Sequence, residues 1–300
     1  MKKEDRILGG LFGVACGDAL GGTLEFLSKK EGKEEYGYLK EIIGGGVWNL
    51  KPGEVTDDTM MTIAVAEGIL ENPKDPLKCI GKNFISWYDT DPKDVGNTVK
   101  LAMEGYKKYN SWKKAASYAH KQLNQHSAGN GTLMRCIPAA LYYDDLKKVI
   151  KISKEQSMLT HYDEKAAEAC ELYNTIIYRY LNGEEKLKVI EEETLKYQDY
   201  EDIMSTKKIE LTPSGYVVDT LQCALWCFIN TSNSEDAICE AVNIYGDPDT
   251  IGAIAGGLAG VYYGIDNIPK RWREKILVKD KLIEIGRKIE EKVLIRKNSI

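Results

Sequence analysis

Apolar residues return at three- and four-residue spacing through most of this chain, and that period commits it to helices. The stretches TMMTIAVAEGILE (59–71), DEKAAEACELYNTIIYRYL (163–181), EEKLKVIEEETL (184–195), VVDTLQCALWCFI (217–229) and KDKLIEIGRKIEEKVL (279–294) all carry it, with polar residues between. Alternation of period two is scarce, and GYLKEIIGG (37–45) is the one stretch that reads as extended. Pro and Gly punctuate the pattern at short intervals, as in ENPKDP (71–76), TDPKD (90–94), YGDPD (245–249) and DNIPK (266–270). With no long linker, repeat or low-complexity tract, the expectation is an all-α fold of about a dozen helices in a single compact domain spanning 1–300.

With 300 residues and 43% apolar content, the chain is long enough to bury a large core. Its formal charge of −5 is spread along its length, so no basic field marks a nucleic-acid partner. The lysine-rich run 100–121, with Tyr106, Tyr109, Trp112 and Tyr118 interleaved, sets its charges between apolar residues at helical spacing and reads as a solvated helix face. Seven cysteines, an odd number without CxxC spacing, sit mostly in apolar runs and read as reduced thiols of a cytoplasmic protein. The apolar runs 7–22 and 251–265 are too short to span a bilayer, and Asp18, Asp249 and Asp266 interrupt or bound them. Both read as buried helices, with no membrane partner.

Two acidic clusters, TDDT at 56–59 and DPDT at 247–250, each stand at the start of a helix. Asp and Thr cap helix N-termini, where their oxygens take up unpaired backbone N–H groups. One cap needs one side chain, however, and each cluster supplies two carboxylates and a threonine. Adjacent carboxylates such as Asp57 and Asp58 repel, and hard oxygens in excess suit a hard divalent cation. Thr56, Asp57, Asp58, Asp247, Asp249 and Thr250 are enough to hold two Mg²⁺ or Mn²⁺ ions with waters. The helix after the second cluster repeats glycine every four residues at Gly252, Gly256 and Gly260. Each helical glycine costs roughly 1 kcal/mol against alanine, so the repeat signals close packing against another helix, one route by which the two helix mouths could meet.

SAGNG (127–131) places Gly129 and Gly131 around Asn130, and a loop of that composition leaves backbone N–H groups free to cradle a pyrophosphate. Glu25 alone reads as a surface acid and Asp94 as an N-cap, while His120, His126 and His161 read as capping or buried hydrogen-bonding residues. Arg135 reads as structural or as a partner of a site residue, not as a phosphate clamp.

Taken in order, these motifs resemble the ADP-ribosylglycohydrolases, the family of the dinitrogenase reductase activating glycohydrolase and the ADP-ribosyl-acceptor hydrolases. The resemblance runs through GGLFGVACGDALGGTLEF (9–26), TDDTMM (56–61), DVGNT (94–98), SAGNGTLMRCIPAAL (127–141), LTHYDEKAAEAC (159–170) and GDPDTIGAIAGGLAGVYYGIDNIPKRW (246–272). It implies an all-α enzyme that binds two Mg²⁺ or Mn²⁺ ions and cleaves the bond joining ADP-ribose C1″ to an acceptor, either a modified protein side chain or a small ADP-riboside. The ligands it implies are Thr56, Asp57, Asp58, Asp247, Asp249 and Thr250, the set reached above. Pro248 departs from the family's small spacer but leaves the ligand spacing intact. The resemblance also makes Glu25 and Asp94 the candidates for moving a proton, and puts His161, at a helix start after Thr160, beside the ribose and phosphates with Ser127, Ala128, Gly129, Asn130 and Gly131. Two alternatives remain: a two-metal phosphoester or pyrophosphate hydrolase, since acidic pairs serve that chemistry too, and a non-catalytic ADP-ribose-binding or crystallin-like protein on the same scaffold.

Overall fold

The computed structural model describes the backbone of residues 1–297 and the side chains of residues 1–292. Helices run in order as α1 (Lys3–Gly21), α2 (Lys29–Tyr36), α3 (Asp57–Glu71), α4 (Leu77–Tyr88), α5 (Asn97–Tyr109), α6 (Trp112–Gln122), α7 (Pro138–Tyr142) and α8 (Leu146–Ser157). They continue as α9 (Glu164–Leu181), α10 (Lys186–Thr194), α11 (Val217–Ile229), α12 (Ser234–Val242), α13 (Pro248–Tyr263), α14 (Lys270–Arg273) and α15 (Lys279–Lys297). The all-α expectation holds among the described residues. Of the expected reach, residues 298–300 and the side chains of Val293 and Leu294 lie outside them.

The stretch 37–45 is not a strand. Gly44, Gly45 and Gly46 take φ of +70°, +83° and +65°, which curls the chain so that only an isolated bridge, Gly45 to Leu50, forms. Asn243 takes the place of a strand partner, accepting from Leu39 N and donating to Leu39 O, both at 2.8 Å. The lysine-rich run 100–121 is two helices, α5 and α6, folded into a hairpin at Asn110, whose left-handed backbone ends α5. Tyr106 stacks on Trp112 at 4.2 Å inside that hairpin. All seven cysteines are unpaired, and no helix among the described residues is long and apolar enough to cross a membrane.

The centre of the fold is the antiparallel pair α1 and α13. A Cβ added to Gly13 would lie 1.9 Å from the Gly256 carbonyl oxygen; at Gly17 it would lie 2.0 Å from that of Gly252, and at Gly9 2.0 Å from that of Gly260. The glycine face of α13 thus packs backbone to backbone against α1, and α1 repeats glycine at the same interval, at Gly9, Gly13, Gly17 and Gly21. Because the pair is antiparallel, the end of α1 meets the start of α13: a Cβ on Gly21 would touch the Asp249 Cα at 2.4 Å. From the last turn of α1, the fully buried Asp18 carboxylate accepts from Thr56 N and Thr59 N, each at 3.0 Å, and from the Thr59 hydroxyl. Helix α1 therefore brings the two acidic helix mouths together.

Candidate active site at two converging helix N-termini

At the head of α3, Thr56 is the N-cap and its hydroxyl accepts from Asp58 N. That single bond does the capping, and of the carboxylates only Asp58 Oδ2 also meets the capping hydroxyl, at 3.5 Å. Asp57 accepts from Gly96 N at 3.2 Å. Asp58 Oδ2 accepts from Thr250 Oγ1 at 3.2 Å, a bond that joins the two mouths. Asp58 Oδ1 is buried with no partner at all. At the head of α13, Asp247 occupies the N-cap position but makes no capping bond with its side chain. Its carboxylate accepts from Asn130 Nδ2 at 2.7 Å, while Asp249 Oδ1 accepts from Thr250 N at 2.9 Å. Helix capping therefore leaves most of this oxygen unused.

Two further acids close the cluster. Glu25 follows α1 and accepts from the Trp48 indole N–H, and Asp94 precedes α5. Asp94 is not the N-cap, a position taken by Gly96. One oxygen each from Glu25, Asp94 and Asp249 lie within 4.8 Å of one another, a spacing that could hold a metal ion. The two expected proton carriers thus stand among the expected ligands rather than apart from them.

Burial, followed by repulsion from neighbouring acids, drives the carboxyls upward from their ordinary range. Asp57, Asp58 and Asp249 rise well above it, Glu25 to about 8 and Asp94 to about 6. Asp247 also rises through burial, against the bond from Asn130. So many desolvated acids, with an orphaned buried oxygen on Asp58 and two positive helix ends behind them, form a donor set that fits hard divalent cations.

A cavity of about 450 Å³ opens over the cluster, lined by all of these acids except Asp18 and by Gly129, Asn130, Gly131, His161, Gly215 and Thr250. The loop 127–131 is more engaged than its composition suggests. Asn130 N donates to Gly215 O at 3.0 Å, Val217 N donates to Ala128 O at 2.9 Å, and Asn130 opens a short 3₁₀ turn. Ser127 is fully buried with its hydroxyl 2.6 Å from His120 Nδ1, so neither it nor Ala128 lines the cavity. Gly129 and Gly131 do. His161 lies in the connection between α8 and α9, its backbone N–H donating to Ser157 O, and α9 is capped by Asp163 and begins at Glu164, three residues beyond the expected helix start. Burial, and then the nearby Arg135 charge, push His161 well below its ordinary range, and it stays neutral. His126 meets the Asn124 carbonyl at the surface, and Arg135 is buried away from the cavity among Gln156 and Thr160.

Asp18 and Trp48 are site-building residues that pattern reading missed. Asp18 was legible as a lone charge in a glycine-rich apolar helix, a residue that is buried only when fully bonded. Trp48 carries no local signal, since its role depends on the curl of Gly44, Gly45 and Gly46.

A helical fold that turns two acidic helix mouths into one oxygen-lined cavity defines a class of all-α hydrolases. The chain belongs to the ADP-ribosylglycohydrolase family, whose model matches residues 1–298. It is 34% identical over 280 residues to the ADP-ribosyl-(dinitrogen reductase) glycohydrolase of Rhodospirillum rubrum, covering 92% of each chain. It is 30% identical over 300 residues to an ADP-ribosylarginine hydrolase of Serratia proteamaculans, covering 95% of this chain and 79% of the relative. Among solved structures, an ADP-ribosylglycohydrolase-related protein complex superposes with a TM-score of 0.84 at 30% identity, over 97% of this chain and 99% of the other.

Proposed function

We propose that the chain, acting as one catalytic domain over 1–300, hydrolyses the glycosidic bond between ADP-ribose C1″ and an acceptor. The acceptor is a protein side chain or a small ADP-riboside, and nucleic acid and membrane are not partners. The observation that carries the reading is the meeting of Asp57, Asp58, Asp94, Asp247, Asp249 and Glu25 in one cavity, with a buried oxygen of Asp58 left unpartnered. Thr56, Asp57, Asp58, Asp247, Asp249 and Thr250 would hold two Mg²⁺ or Mn²⁺ ions, with Glu25 and Asp94 beside Asp249 at the edge of the set. Such ions would supply positive charge to orient the ribose hydroxyls and to offset negative charge on the attacking water and the departing acceptor.

The chain's own residues do the rest. Gly129 and Gly131 let the nucleotide approach the backbone, and His161 offers a ring nitrogen to it. Glu25, steadied by Trp48, or Asp94 takes the proton from the water as it attacks C1″ through an oxocarbenium-like transition state, and the same proton goes to the acceptor atom as its bond to C1″ breaks. The unpaired cysteines support a cytoplasmic setting.

The test is a substrate panel of ADP-ribosylated arginine, ADP-ribosylated serine and O-acetyl-ADP-ribose, each with Mg²⁺ or Mn²⁺. Free ADP-ribose should appear from at least one. Release of AMP or phosphate instead would assign the site to phosphoester chemistry, and nucleotide binding without any product would make the chain a binding module.

Gly129→Val should weaken ADP-ribose binding about tenfold, about 1.4 kcal/mol, by filling the cavity. The backbone there has φ −73° and tolerates a side chain, and the new Cβ would meet His161 Nε2 at an ordinary 3.4 Å. Calorimetry should show Mn²⁺ affinity unchanged in the same variant; joint loss of both would point to a disrupted fold.

A further inference from the structure

We propose that Arg135 and Thr160 are positioning residues that lock His161 as the neutral tautomer with its proton on Nε2, so that a hydrogen-bond donor faces the cavity at Gly129 and Gly131. The ligand class it selects is an anionic or hydroxyl oxygen of a sugar nucleotide, and to that extent the inference rests on the function proposed above.

The chain of bonds starts at Gln156. Its Nε2 lies 3.1 Å from both the Thr132 and Ser153 carbonyl oxygens, so its Oε1 must face Arg135, whose Nε donates to it at 2.9 Å. Arg135 Nη2 donates to Gln156 O at 3.1 Å and to Thr160 Oγ1 at 2.7 Å. A guanidinium has donors only, so the Thr160 oxygen accepts here. Thr160 Oγ1 also lies 2.8 Å from His161 Nδ1, and both residues are buried.

Two proton arrangements fit that last contact. In one, the Thr160 hydroxyl donates to a bare Nδ1, and the ring proton sits on Nε2. In the other, Nδ1–H donates to Thr160, whose own hydrogen then has no acceptor in a fully buried place. Native proteins seldom orphan a buried donor, so the first arrangement holds. A doubly protonated ring meets the same obstacle and stands beside the Arg135 cation, which rests on the Phe84 ring, its centre 4.4 Å from the ring centroid. Burial and that cation both hold His161 neutral.

The free end of the ring is set as a result. His161 Nε2 would lie 3.4 Å from a Cβ on Gly129 and 3.7 Å from one on Gly131, so it borders the space a ligand fills. With Nε2 protonated it donates to an oxygen there, whereas the other tautomer would turn a lone pair toward it and repel a phosphate. The arrangement also explains why a buried arginine stands behind the cavity without touching it.

The experiment is a long-range ¹H–¹⁵N spectrum of the ring nitrogens in the full chain, which has three histidines, with His161→Gln identifying the His161 signals. The expected result for the ligand-free protein is an unprotonated Nδ1 and a protonated Nε2, unchanged between about pH 6 and 8. Thr160→Val, which keeps shape but removes the hydroxyl, should mix the tautomers and weaken ADP-ribose binding about tenfold, with Mn²⁺ binding retained; Thr160→Ser should restore the wild-type spectrum and affinity. A wild-type His161 protonated on Nδ1, or a Thr160→Val protein with wild-type tautomer and affinity, would overturn the proposal. If Thr160→Val does not fold, the wild-type spectrum decides alone. Because the tautomer is read without ligand, failure of wild-type protein to bind ADP-ribose would overturn the nucleotide reading and leave the relay itself standing.

Discussion

Replacing Asp249 with asparagine is expected to lower turnover by at least about a hundredfold, about 2.7 kcal/mol of barrier, while ADP-ribose affinity falls only severalfold. Asp249 is the residue common to both groupings in the cavity. It stands at the head of α13 with Asp247 and within 4.8 Å of Glu25 and Asp94, and its backbone is pressed against Gly21 of α1. Asparagine keeps the shape and the bond from Thr250 N but removes the charge. A divalent cation held there would act mainly on the negative charge that develops on the attacking water and the departing acceptor as the C1″ bond breaks, so the loss should appear in kcat rather than in ground-state binding. Steady-state kinetics on a substrate that the panel identifies, paired with calorimetric ADP-ribose binding, makes the comparison. Equal losses in kcat and affinity would place Asp249 in nucleotide binding instead. Glu25→Gln in the same assay locates the proton transfer: full activity would shift that role to Asp94.

The second large effect belongs to the scaffold. Gly256→Leu should cost more than about 3 kcal/mol and lower the melting temperature by roughly 6–12 °C, or prevent recovery of folded protein. A Cβ at Gly256 would lie 2.1 Å from the Gly13 carbonyl oxygen and 2.7 Å from its carbon, backbone atoms that cannot move aside as a side chain could. Separating α1 from α13 would also move the α13 mouth away from the α3 mouth, which Asp18 ties to α1 through Thr56 and Thr59, so metal affinity should fall in any folded fraction. Thermal unfolding followed by circular dichroism, with and without Mn²⁺, reads both effects. Wild-type stability in this variant would mean that the two helices do not meet through their glycines.

Much of this arrangement was legible in the residues. The 3.6-residue period of α3, α9 and α11 specified helices, and TDDT and DPDT held more carboxylate than capping consumes. The glycine interval in α13 announced a close partner, yet the partner is α1, whose Gly9, Gly13, Gly17 and Gly21 repeat the same interval. Local pattern read one half of that interface and missed its complement. What sequence spacing could not convey is long-range placement. Ser127 belongs to the glycine loop by sequence but turns to His120, because Ala128 and Asn130 are claimed by the segment 215–217. Glu25 and Asp94 come from separate loops, and only the packing of α1 against α13 and α3 sets them beside Asp249.

The central claim is that the two helix mouths make one divalent-metal centre. Anomalous diffraction from crystals soaked in Mn²⁺ tests it most directly. Strong peaks between Asp57, Asp58, Asp247 and Asp249 are the predicted result; no peak at millimolar Mn²⁺, or peaks only elsewhere on the surface, would contradict it.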